Sequence, residues 1–462
     1  MSTHHLAEWI VSLTPDAIPA SVHDAAVRTL YNYMGCVIGG STHPAVAKAR
    51  NALSPFFGYG WCTLYGHGGA SRADAQHAAL LNGIASHVHD YDDTHLATII
   101  HPAGPVASAL LAIIEHLAHT KEPGLTTGEE MLTALVAGIE TSCLLGLSVW
   151  PSHYDIGWHI TSTTGSLGAA AAVGRILRLS TEQMQHALGI AASQVTGLRC
   201  MFGSDTKSFH PGRAAQAGLV AALLAQQGYT ASEDSLEAKR GWANVVVGGG
   251  QPQLDKHLAQ LGTSWEVKKN AFKPFPCGIV CHPVIDGCIK LHERLLEQAN
   301  VNKHQDVDLT KLQIRAKVHP LVIELTSKRK PRDGLEAKFS VYHGAAVALL
   351  YGKATPAEYA DDVVQDATVL AIRDAIHVEA DADMRAEQMS LTYVCPFERR
   401  TCTLIVEHAL GSLETPMTRE QLTRKFVDQA AHVLGKPRAE DASRRMWNIA
   451  AAKDVTDVVR WI

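Results

Sequence analysis

The stretch HDYDDTHLATIIHP, residues 89–102, places three aspartates, three histidines and two threonines between two apolar segments. Polar side chains between buried elements cost free energy unless each finds a hydrogen-bond partner or a ligand. Histidine titrates near neutral pH and a carboxylate can fix its tautomer, so the stretch could carry acid–base chemistry. The same groups could instead bind a metal ion, or the aspartates and threonines could cap neighbouring helices.

The spacing gives little support to a metal site. Asp90, Asp92 and Asp93 could supply oxygen ligands for Mg²⁺, but no glycine-rich phosphate loop accompanies them in the sequence. His89 and His95 are six residues apart, whereas zinc enzymes commonly place two histidines four apart on a helix. The nine cysteines contain no C-x-x-C step, which disfavours an iron–sulfur cluster. We therefore predict no metal ligands.

A second polar cluster lies at residues 203–228, GSDTKSFHPGRAAQAGLVAALLAQQG. Lys207, His210 and Arg213 stand where a helix is predicted to begin, and Pro211 suits its first turn because no N–H is needed there. The N-terminus of a helix favours anions through its free N–H groups and its dipole. Three basic side chains at that end predict a carboxylate-binding pocket, with an exposed basic turn as the alternative.

Two shorter segments add a histidine and a lysine. His159 precedes a run of threonine and serine in GWHITSTTGSLGAAAA, at a predicted helix start. Lys273 lies between phenylalanines and prolines in NAFKPFPCG. A lysine among apolar residues can have a lowered pKa or bind a carboxylate in a dry site. The alternatives are a histidine that only caps its helix and a lysine that extends to solvent.

In their order and spacing, these blocks resemble the MmgE/PrpD family. The resemblance rests on HDYDDT…HP at 89–102, GWHITSTTGSLGAAAA at 157–172, DTKSFHPGRAAQAG at 205–218, FKPFP at 272–276 and EAKFSVYHGAAVAL at 336–349. The family includes 2-methylcitrate dehydratase, cis-aconitate decarboxylase and iminodisuccinate epimerase. The resemblance implies a small polycarboxylate substrate and no metal or organic cofactor.

The resemblance implies active-site roles for Asp90, Thr94, His101, His159, Lys207 and Lys273, and the basic cluster at 203–228 adds His210 and Arg213. Five are expected to be catalytic: His101, His159, Asp90, Lys207 and Lys273. Four are expected to bind the substrate: Thr94, His210, Arg213 and His319. Of these, His319 is included because the decarboxylase has an active-site tyrosine in its smaller domain. The matching stretch KVHPLVIEL contains no tyrosine, and His319 is its nearest polar candidate.

These residue types suit an elimination beside a carboxylate. Loss of water or carbon dioxide builds negative charge on an enolate-like intermediate, which fixed cations stabilise in a dry cleft. We expect Lys207 and Lys273 to bind carboxylates and this charge, and Asp90 to orient a neighbouring histidine or lysine. His101 and His159 are the candidates for proton transfer. Because His101 shares its loop with three aspartates, we expect a raised pKa and a role as proton donor.

Two other functions remain open from the sequence. An isomerase, such as an epimerase of a dicarboxylate like iminodisuccinate, would use the same groups on opposite faces of one carbon. A non-catalytic protein that binds polycarboxylates would be stabilised thermally by such acids but would turn none of them over. The reaction type separates these alternatives, and the sequence does not name the substrate.

The elements that position these residues fall into two regions. Residues 1 to about 265 predict a nearly all-helical region, and capping boxes formed by Ser180 with Gln183 and by Thr418 with Gln421 mark two helix starts. In the later region, DLTKLQIRAKVHP predicts a strand and RRTCTLIVEHALGSLETPM a hairpin, with helical runs between them. We predict a mainly α fold with an α+β second domain. The resemblance implies the bounds: a large helical domain of residues 1–267 with a returning tail at 408–462, and a smaller α+β lid at 268–407.

Composition limits the partners. The chain has 462 residues, a formal net charge of -5, 46% hydrophobic and 19% charged residues, as expected of a globular protein with two domains. The sequence shows no basic stripe that would predict nucleic-acid binding, and no run of about 18 apolar residues that would predict a membrane span. The N-terminal sequence predicts no signal peptide, and scattered cysteines suit a reducing cytoplasm. Glycine- and alanine-rich helices, together with the resemblance, predict a homodimer.

Overall fold

The computed structural model describes residues 2–120, 126–299, 308–398 and 400–462. The first part of the chain is nearly all helix, as predicted. Its helices are α1 (Ser2–Ser12), α2 (Ala20–Gly40), α3 (Pro44–Leu53), α4 (Ala75–His87), α5 (Ala103–Thr120), α6 (Gly128–Val149), α7 (Ser152–Asp155), α8 (Ile160–Ile176), α9 (Thr181–Ala192), α10 (Asp205–Gln226), α11 (Trp242–Val246) and α12 (Leu254–Leu258). Short strands accompany them: β1 (Cys62–Thr63), β2 (Arg72–Ala73) and β3 (Asp93–His95).

The next part combines helices with a sheet. Its strands are β4 (Asn270–Phe272), β5 (Ile314–Val318), β6 (Ile376–Ala380), β7 (Met389–Val394) and β8 (Thr401–Val406). Its helices are α13 (His282–Ala299), α14 (Pro320–Thr326), α15 (Gly334–Ala337), α16 (Val341–Tyr351), α17 (Asp361–Val364) and α18 (Ala367–Ala375). The tail adds α19 (Arg419–Leu434), α20 (Lys436–Trp447) and α21 (Thr456–Val459). The predicted fold class, mainly α with an α+β second part, is confirmed.

The four-stranded sheet has the order β6-β5-β7-β8, with β5 parallel to β6 and the other pairs antiparallel. In β5, Ile314, Ala316 and Val318 are buried and the residues between them are exposed, so the predicted strand is confirmed and is buried on one face. The hairpin predicted within RRTCTLIVEHALGSLETPM is wrong, because its first strand, β8, pairs with a different segment. Strand β8 pairs with β7, which precedes it, because the residues after Gly411 form no strand.

Two hydrophobic clusters underlie this organisation. One extends from Leu6 to Phe272 and includes residues between Met417 and Ile462, and the other extends from Phe275 to Ala409. The tail packs on the first cluster, where Tyr31 of α2 stacks on Trp447 of α20 with ring centroids 3.9 Å apart. Among the described residues, α6 is long and apolar enough to cross a membrane, and 94% of its most apolar window is buried inside the protein.

Helices α4 and α10 cross at glycines, and this crossing positions the site. A Cβ atom on Gly212 would lie 2.3 Å from the backbone oxygen of Leu80, so the two backbones are in direct contact. Helix α10 begins at Asp205, which places Lys207 in its first turn. The prediction that Pro211 occupies this first turn is wrong, because the helix begins earlier and continues through the proline.

Strands β3 and β4 pair the segment 89–102 with the residues just before Phe275, where the second hydrophobic cluster begins. The pair is antiparallel, with Asp93 opposite Phe272 and His95 opposite Asn270. The residue that follows β4 is Lys273, so the pairing brings this lysine beside the loop that contains Asp90. Two blocks about 180 residues apart in sequence thus share one local structure.

Candidate active site

A cavity of about 40 Å³ lies where the two parts of the chain meet. The five residues predicted to be catalytic all line it: Asp90, His101, His159, Lys207 and Lys273. Each of these residues is at most 7% exposed. Much of the remaining lining is apolar and includes Tyr154, Phe202 and Phe339. Charges in such a dry cleft interact more strongly than they would in water.

Asp90 holds the two lysines together. One carboxylate oxygen, Oδ1, accepts hydrogen bonds from Lys207 Nζ at 3.0 Å and from Lys273 Nζ at 2.8 Å. Burial alone would raise the pKa of Asp90, but the two ammonium groups hold it well below its usual range. Its φ of 52° lies in the left-handed region, which aspartate tolerates better than most residues. Asp90 is therefore an ionised carboxylate that fixes two cations at the cavity wall.

The two lysines differ in proton affinity. Burial lowers the pKa of Lys207, and Asp90 only partly offsets that effect. Burial also lowers the pKa of Lys273, but the charges of Asp90 and Asp92 outweigh it and leave the pKa raised. Lys273 is thus a permanent cation at neutral pH, whereas Lys207 releases its proton more readily.

His87 and Asp92 complete a chain of hydrogen bonds that the sequence reasoning missed. Lys207 Nζ donates to Nε2 of His87 at 2.8 Å, so the proton of a neutral His87 lies on Nδ1, which donates to Oδ2 of Asp92 at 2.6 Å. Burial would raise the pKa of Asp92, but His87 and His101 lower it. The sequence signal was the position of His87 at the end of α4, five residues before Asp92.

His101 lines the cavity as a neutral imidazole. Its Nδ1 donates to the backbone oxygen of Asp93 at 2.7 Å, which makes Nε2 the unprotonated nitrogen of the neutral ring. The predicted rise in the pKa of His101 is wrong in direction. Asp92, 3.7 Å away, does raise the pKa, but burial and the charge of Lys273 lower it to about 3. His101 is therefore neutral at physiological pH.

His159 is also buried and neutral. Burial and the charge of Lys207 lower its pKa well below the usual value. It precedes α8 as predicted, but its side chain makes no capping hydrogen bond, so the capping alternative is wrong for this residue. Instead its Nδ1 lies 3.0 Å from Nδ1 of His210, and one of the two rings donates to the other.

Two residues predicted to bind substrate contact the histidines instead of lining the cavity. Oγ1 of Thr94 lies 3.3 Å from Nδ1 of His101, and His210 contacts His159. Burial lowers the pKa of His210 to about 4. In this geometry Thr94 and His210 position the two cavity histidines, and a direct contact with substrate gains no support.

The other two predicted substrate contacts lie elsewhere. Arg213 donates from Nη1 to Oε1 of Gln216 at 2.7 Å, within α10. His319 caps α14, because its Nδ1 accepts from the backbone N–H of Leu321 at 3.1 Å. Neither residue is among those that line the cavity. The structure therefore gives His319 a local structural role in place of the missing tyrosine's role.

Asp93 caps a helix, which is one of the roles that the sequence left open for the segment 89–102. Its Oδ2 accepts from the backbone N–H of Ala103 at 3.1 Å, at the start of α5, and from Nδ2 of Asn270 at 2.6 Å. Burial, together with the charge of Asp92, raises the pKa of Asp93 to about 7. The three aspartates thus have separate tasks, and only Asp90 lines the cavity.

His87, Asp92 and His101 have ligand atoms within 4.8 Å of one another, so by distance they could hold a metal ion. Both nitrogens of His87 are already hydrogen bonded, to Lys207 and to Asp92. The charge of Lys273 also reaches Asp92. Two lysine ammonium groups beside the donor set oppose a further cation. This donor set fits an internal hydrogen-bond network better than a metal centre.

The comparison with known proteins agrees with the resemblance. The model of the MmgE/PrpD N-terminal domain matches residues 4–255, and that of the MmgE/PrpD C-terminal domain matches residues 275–449. The chain is 24% identical to a cis-aconitate decarboxylase-like protein of Aspergillus oryzae, over 100% of this chain and 97% of that protein. It is 26% identical to the cis-aconitate decarboxylase of Aspergillus terreus, over 99% and 95%.

A second kind of relative is a dehydratase. The chain is 24% identical to the 2-methylcitrate dehydratase of Escherichia coli, over 79% of this chain and 75% of that protein. These relatives are decarboxylase and dehydratase enzymes, as the resemblance implied. Because the two domain models together match most of the chain, the resemblance is confirmed, and the protein belongs to the MmgE/PrpD family.

Proposed function

We propose that the protein is a cofactor-independent lyase that dehydrates or decarboxylates a small di- or tricarboxylate in this cavity. The observation that carries the proposal is the buried carboxylate of Asp90, which holds Lys207 and Lys273 beside neutral His101 and His159. Relatives named as cis-aconitate decarboxylase and 2-methylcitrate dehydratase support the lyase class and the kind of substrate.

The two cations suit the substrate and the charge that develops on it. Lys273, whose pKa is raised, would bind one carboxylate as a permanent ammonium. Elimination beside a carboxylate moves an electron pair toward that carboxylate, and fixed ammonium groups in a dry site stabilise the resulting enolate-like charge. Because Asp90 holds both lysines before substrate arrives, little reorganisation is needed during the reaction.

Proton transfer would be divided between a histidine and a lysine. In a dehydration, Nε2 of His101 would accept the proton from carbon, and the leaving hydroxyl would take a proton from Lys207. In a decarboxylation, the electron pair left by carbon dioxide would take that proton instead. The lowered pKa of Lys207 suits a donor, and His87 with Asp92 would hold its ammonium in place.

The distribution of ionisable groups favours elimination over epimerisation. An epimerase needs one proton acceptor and one donor on opposite faces of a carbon. Besides Lys273, the second part of the chain contributes lining residues without an ionisable side chain: Gly278, Ile279, Val280, Leu325, Thr326 and Phe339. The acid–base groups therefore come from the first part of the chain, and among the described lining residues the second part adds Lys273 to them.

A panel of acids tests the proposal. The purified protein would be incubated in D₂O with 2-methylcitrate, citrate, cis-aconitate, iminodisuccinate and hydroxylated dicarboxylates, and the products followed by NMR. We expect loss of water or carbon dioxide from one acid, and none with a Lys273→Ala variant that remains folded. Deuterium incorporation without loss of water or carbon dioxide would indicate an isomerase. Thermal stabilisation without any turnover would indicate a binding protein.

A further inference from the structure

A second cavity adjoins the active-site cavity. It has a volume of about 170 Å³, and three of its lining residues, Ile99, Ile279 and Val280, also line the active-site cavity. On the same measure, a cavity of about 10–15 Å³ holds one water-sized group. The second cavity therefore has room for several non-hydrogen atoms, whereas the active-site cavity is much smaller.

The lining of the second cavity suits an apolar group. Beyond the shared residues it includes Leu96, Leu321 and Ala409. Its carboxylate, Glu387, pairs with Arg385 at 2.8 Å and is partly exposed. Its imidazole, His282, packs edge-on against Phe275 with ring centroids 5.3 Å apart. No lysine or arginine is among its described lining residues, so a substrate carboxylate has no cation to bind there.

The shared wall contains a strained residue. Ile99 has a φ of 58°, and a β-branched residue in this left-handed region is a genuine conformational outlier. Its backbone N–H donates to the backbone oxygen of His95 at 2.8 Å, which holds the turn in place. Such strain persists where the surrounding structure over-determines it, commonly beside a ligand site. The strained turn holds Ile99 at a position where it lines both cavities.

We propose that the substrate carries an apolar side chain of several carbons, and that the second cavity binds it. The proposal rests on the proposed function and names the substrate class more closely. The carboxylates would lie at Lys207 and Lys273, and the side chain would pass Ile99, Ile279 and Val280 into the second cavity. The substrate is then an alkyl-substituted di- or tricarboxylate.

Binding of saturated dicarboxylates tests the subsite without depending on the reaction. Succinate, methylsuccinate, propylsuccinate and pentylsuccinate would be titrated into the protein by calorimetry. We expect the Kd to fall about fourfold for each added methylene until the cavity is filled, which corresponds to about 0.8 kcal/mol per buried CH₂. An affinity that is flat, or that weakens with chain length, would overturn the proposal.

Two variants on the same helix provide a matched comparison. Leu321→Trp fills the second cavity, whereas Ile323→Trp changes a half-buried residue of α14 that lines neither cavity. We expect L321W to bind pentylsuccinate no more tightly than succinate, and I323W to keep the wild-type gain. If L321W does not fold, Ala386→Leu narrows the same cavity from a half-buried loop position. If the cavity-filling and control variants lost the gain in affinity for pentylsuccinate equally, the assignment of the second cavity would be contradicted.

The two proposals fail separately. If no acid of the panel is turned over but affinity still rises with chain length, the proposed reaction is wrong and the subsite assignment stands. If an acid reacts but affinity does not rise with chain length, the reaction stands and the second cavity is not part of the substrate site.

Discussion

Asp90 is the residue on which the charge arrangement of the site depends. Removal of its charge would leave two buried ammonium groups without their shared carboxylate, and breaking a buried ion pair in this way costs about 3–5 kcal/mol. We expect Asp90→Asn to lower the free energy of unfolding by this order and to abolish most turnover. Urea unfolding and kcat measured on the same preparation check both effects.

Asp205→Asn is the control for this change. It breaks the ion pair of Asp205 with Lys48, at 2.8 Å, which lies at the surface with 41% and 70% of the two side chains exposed. Exposed pairs contribute little because solvent screens them. We expect nearly unchanged stability and rate. A variant at position 90 that behaved like D205N would show that the two lysines do not need Asp90.

His101 supports a second prediction. As a neutral base it acts in its unprotonated form, which persists at every pH above about 3. His101→Gln should reduce kcat by about 10²–10⁴. The same variant should melt near the wild-type temperature, because a glutamine amide can still donate toward the Asp93 carbonyl. Rate and melting temperature measured together check this outcome.

His319→Ala is the matched control for His101→Gln. It removes a histidine that only caps α14, so stability should fall by about 1 kcal/mol while kcat stays unchanged. A normal rate in H101Q, or a large rate loss in H319A, would reverse the roles that the geometry assigns to these histidines.

The sequence identified the residue types of the site but not their protonation. Asp90, His101 and Lys273 follow from their blocks, because the chemistry requires a carboxylate, an imidazole and a cation. The pKa of His101 was predicted in the wrong direction because burial outweighs the neighbouring Asp92. Sequence neighbours are visible in the chain, whereas the depth of burial is set by helices distant in sequence. His87 was missed for the same reason.

At the scale of elements, local signals succeeded where local interactions decide the structure. Both predicted capping boxes are present, with Ser180 starting α9 and Thr418 starting α19. Strands β6 and β7 were not predicted, since the short polar segment IHVEA becomes a strand only through its pairing with β5. Strand propensity depends on the neighbours that a segment meets in the sheet.

The crossing of α4 and α10 carries a prediction at this scale. Because a Cβ on Gly212 would overlap the Leu80 carbonyl, Gly212→Ala must push the helices apart. Overpacking of this kind costs about 1–3 kcal/mol. It would also move Lys207, on α10, away from His87, at the end of α4, so kcat should fall with stability. Denaturant unfolding and kcat are the measurements.

Gly104→Ala is the control for the helix crossing. The nearest atom to a Cβ at this position is Oγ of Ser86 at 3.2 Å, and a hydroxyl can move by a small rotation. Alanine is also a better helix former than glycine. We expect G104A to match or slightly exceed wild-type stability. Equal behaviour of the two variants would contradict the close contact at Gly212.

At the scale of the whole molecule, the homodimer and the cytoplasmic location stay predictions. Leu224, Tyr229 and Val245 are exposed apolar residues around one surface groove, and exposed apolar patches often mark association surfaces. Light scattering on the purified protein should give twice the chain mass of 49.8 kDa. A mass equal to that of one chain would contradict the dimer.

Stability of the whole protein should fall steeply in mild acid. Burial lowers the pKa of several histidines to about 3 or 4: His43, His101, His153, His210 and His343. Below pH 6.5 these histidines take up protons in the unfolded chain but not in the folded one, so stability is lost as the pH falls from 6.5 toward 4. Asp93 and Glu140, with pKa values raised to about 7 and about 8, act in the opposite direction but are fewer.

Each net proton taken up on unfolding changes the free energy of unfolding by about 1.4 kcal/mol per pH unit. Urea unfolding at pH 6.5, 5.5 and 4.5 should therefore give a stability that rises with pH. His153→Gln removes one buried histidine outside the cavity, whose Nε2 lies 2.8 Å from Oγ1 of Thr163, and should make the dependence shallower. The control is His5→Gln, which should leave the pH dependence unchanged because it alters an exposed residue and no buried one. A stability independent of pH over this range would mean that these histidines are charged, or reached by water, in the folded protein.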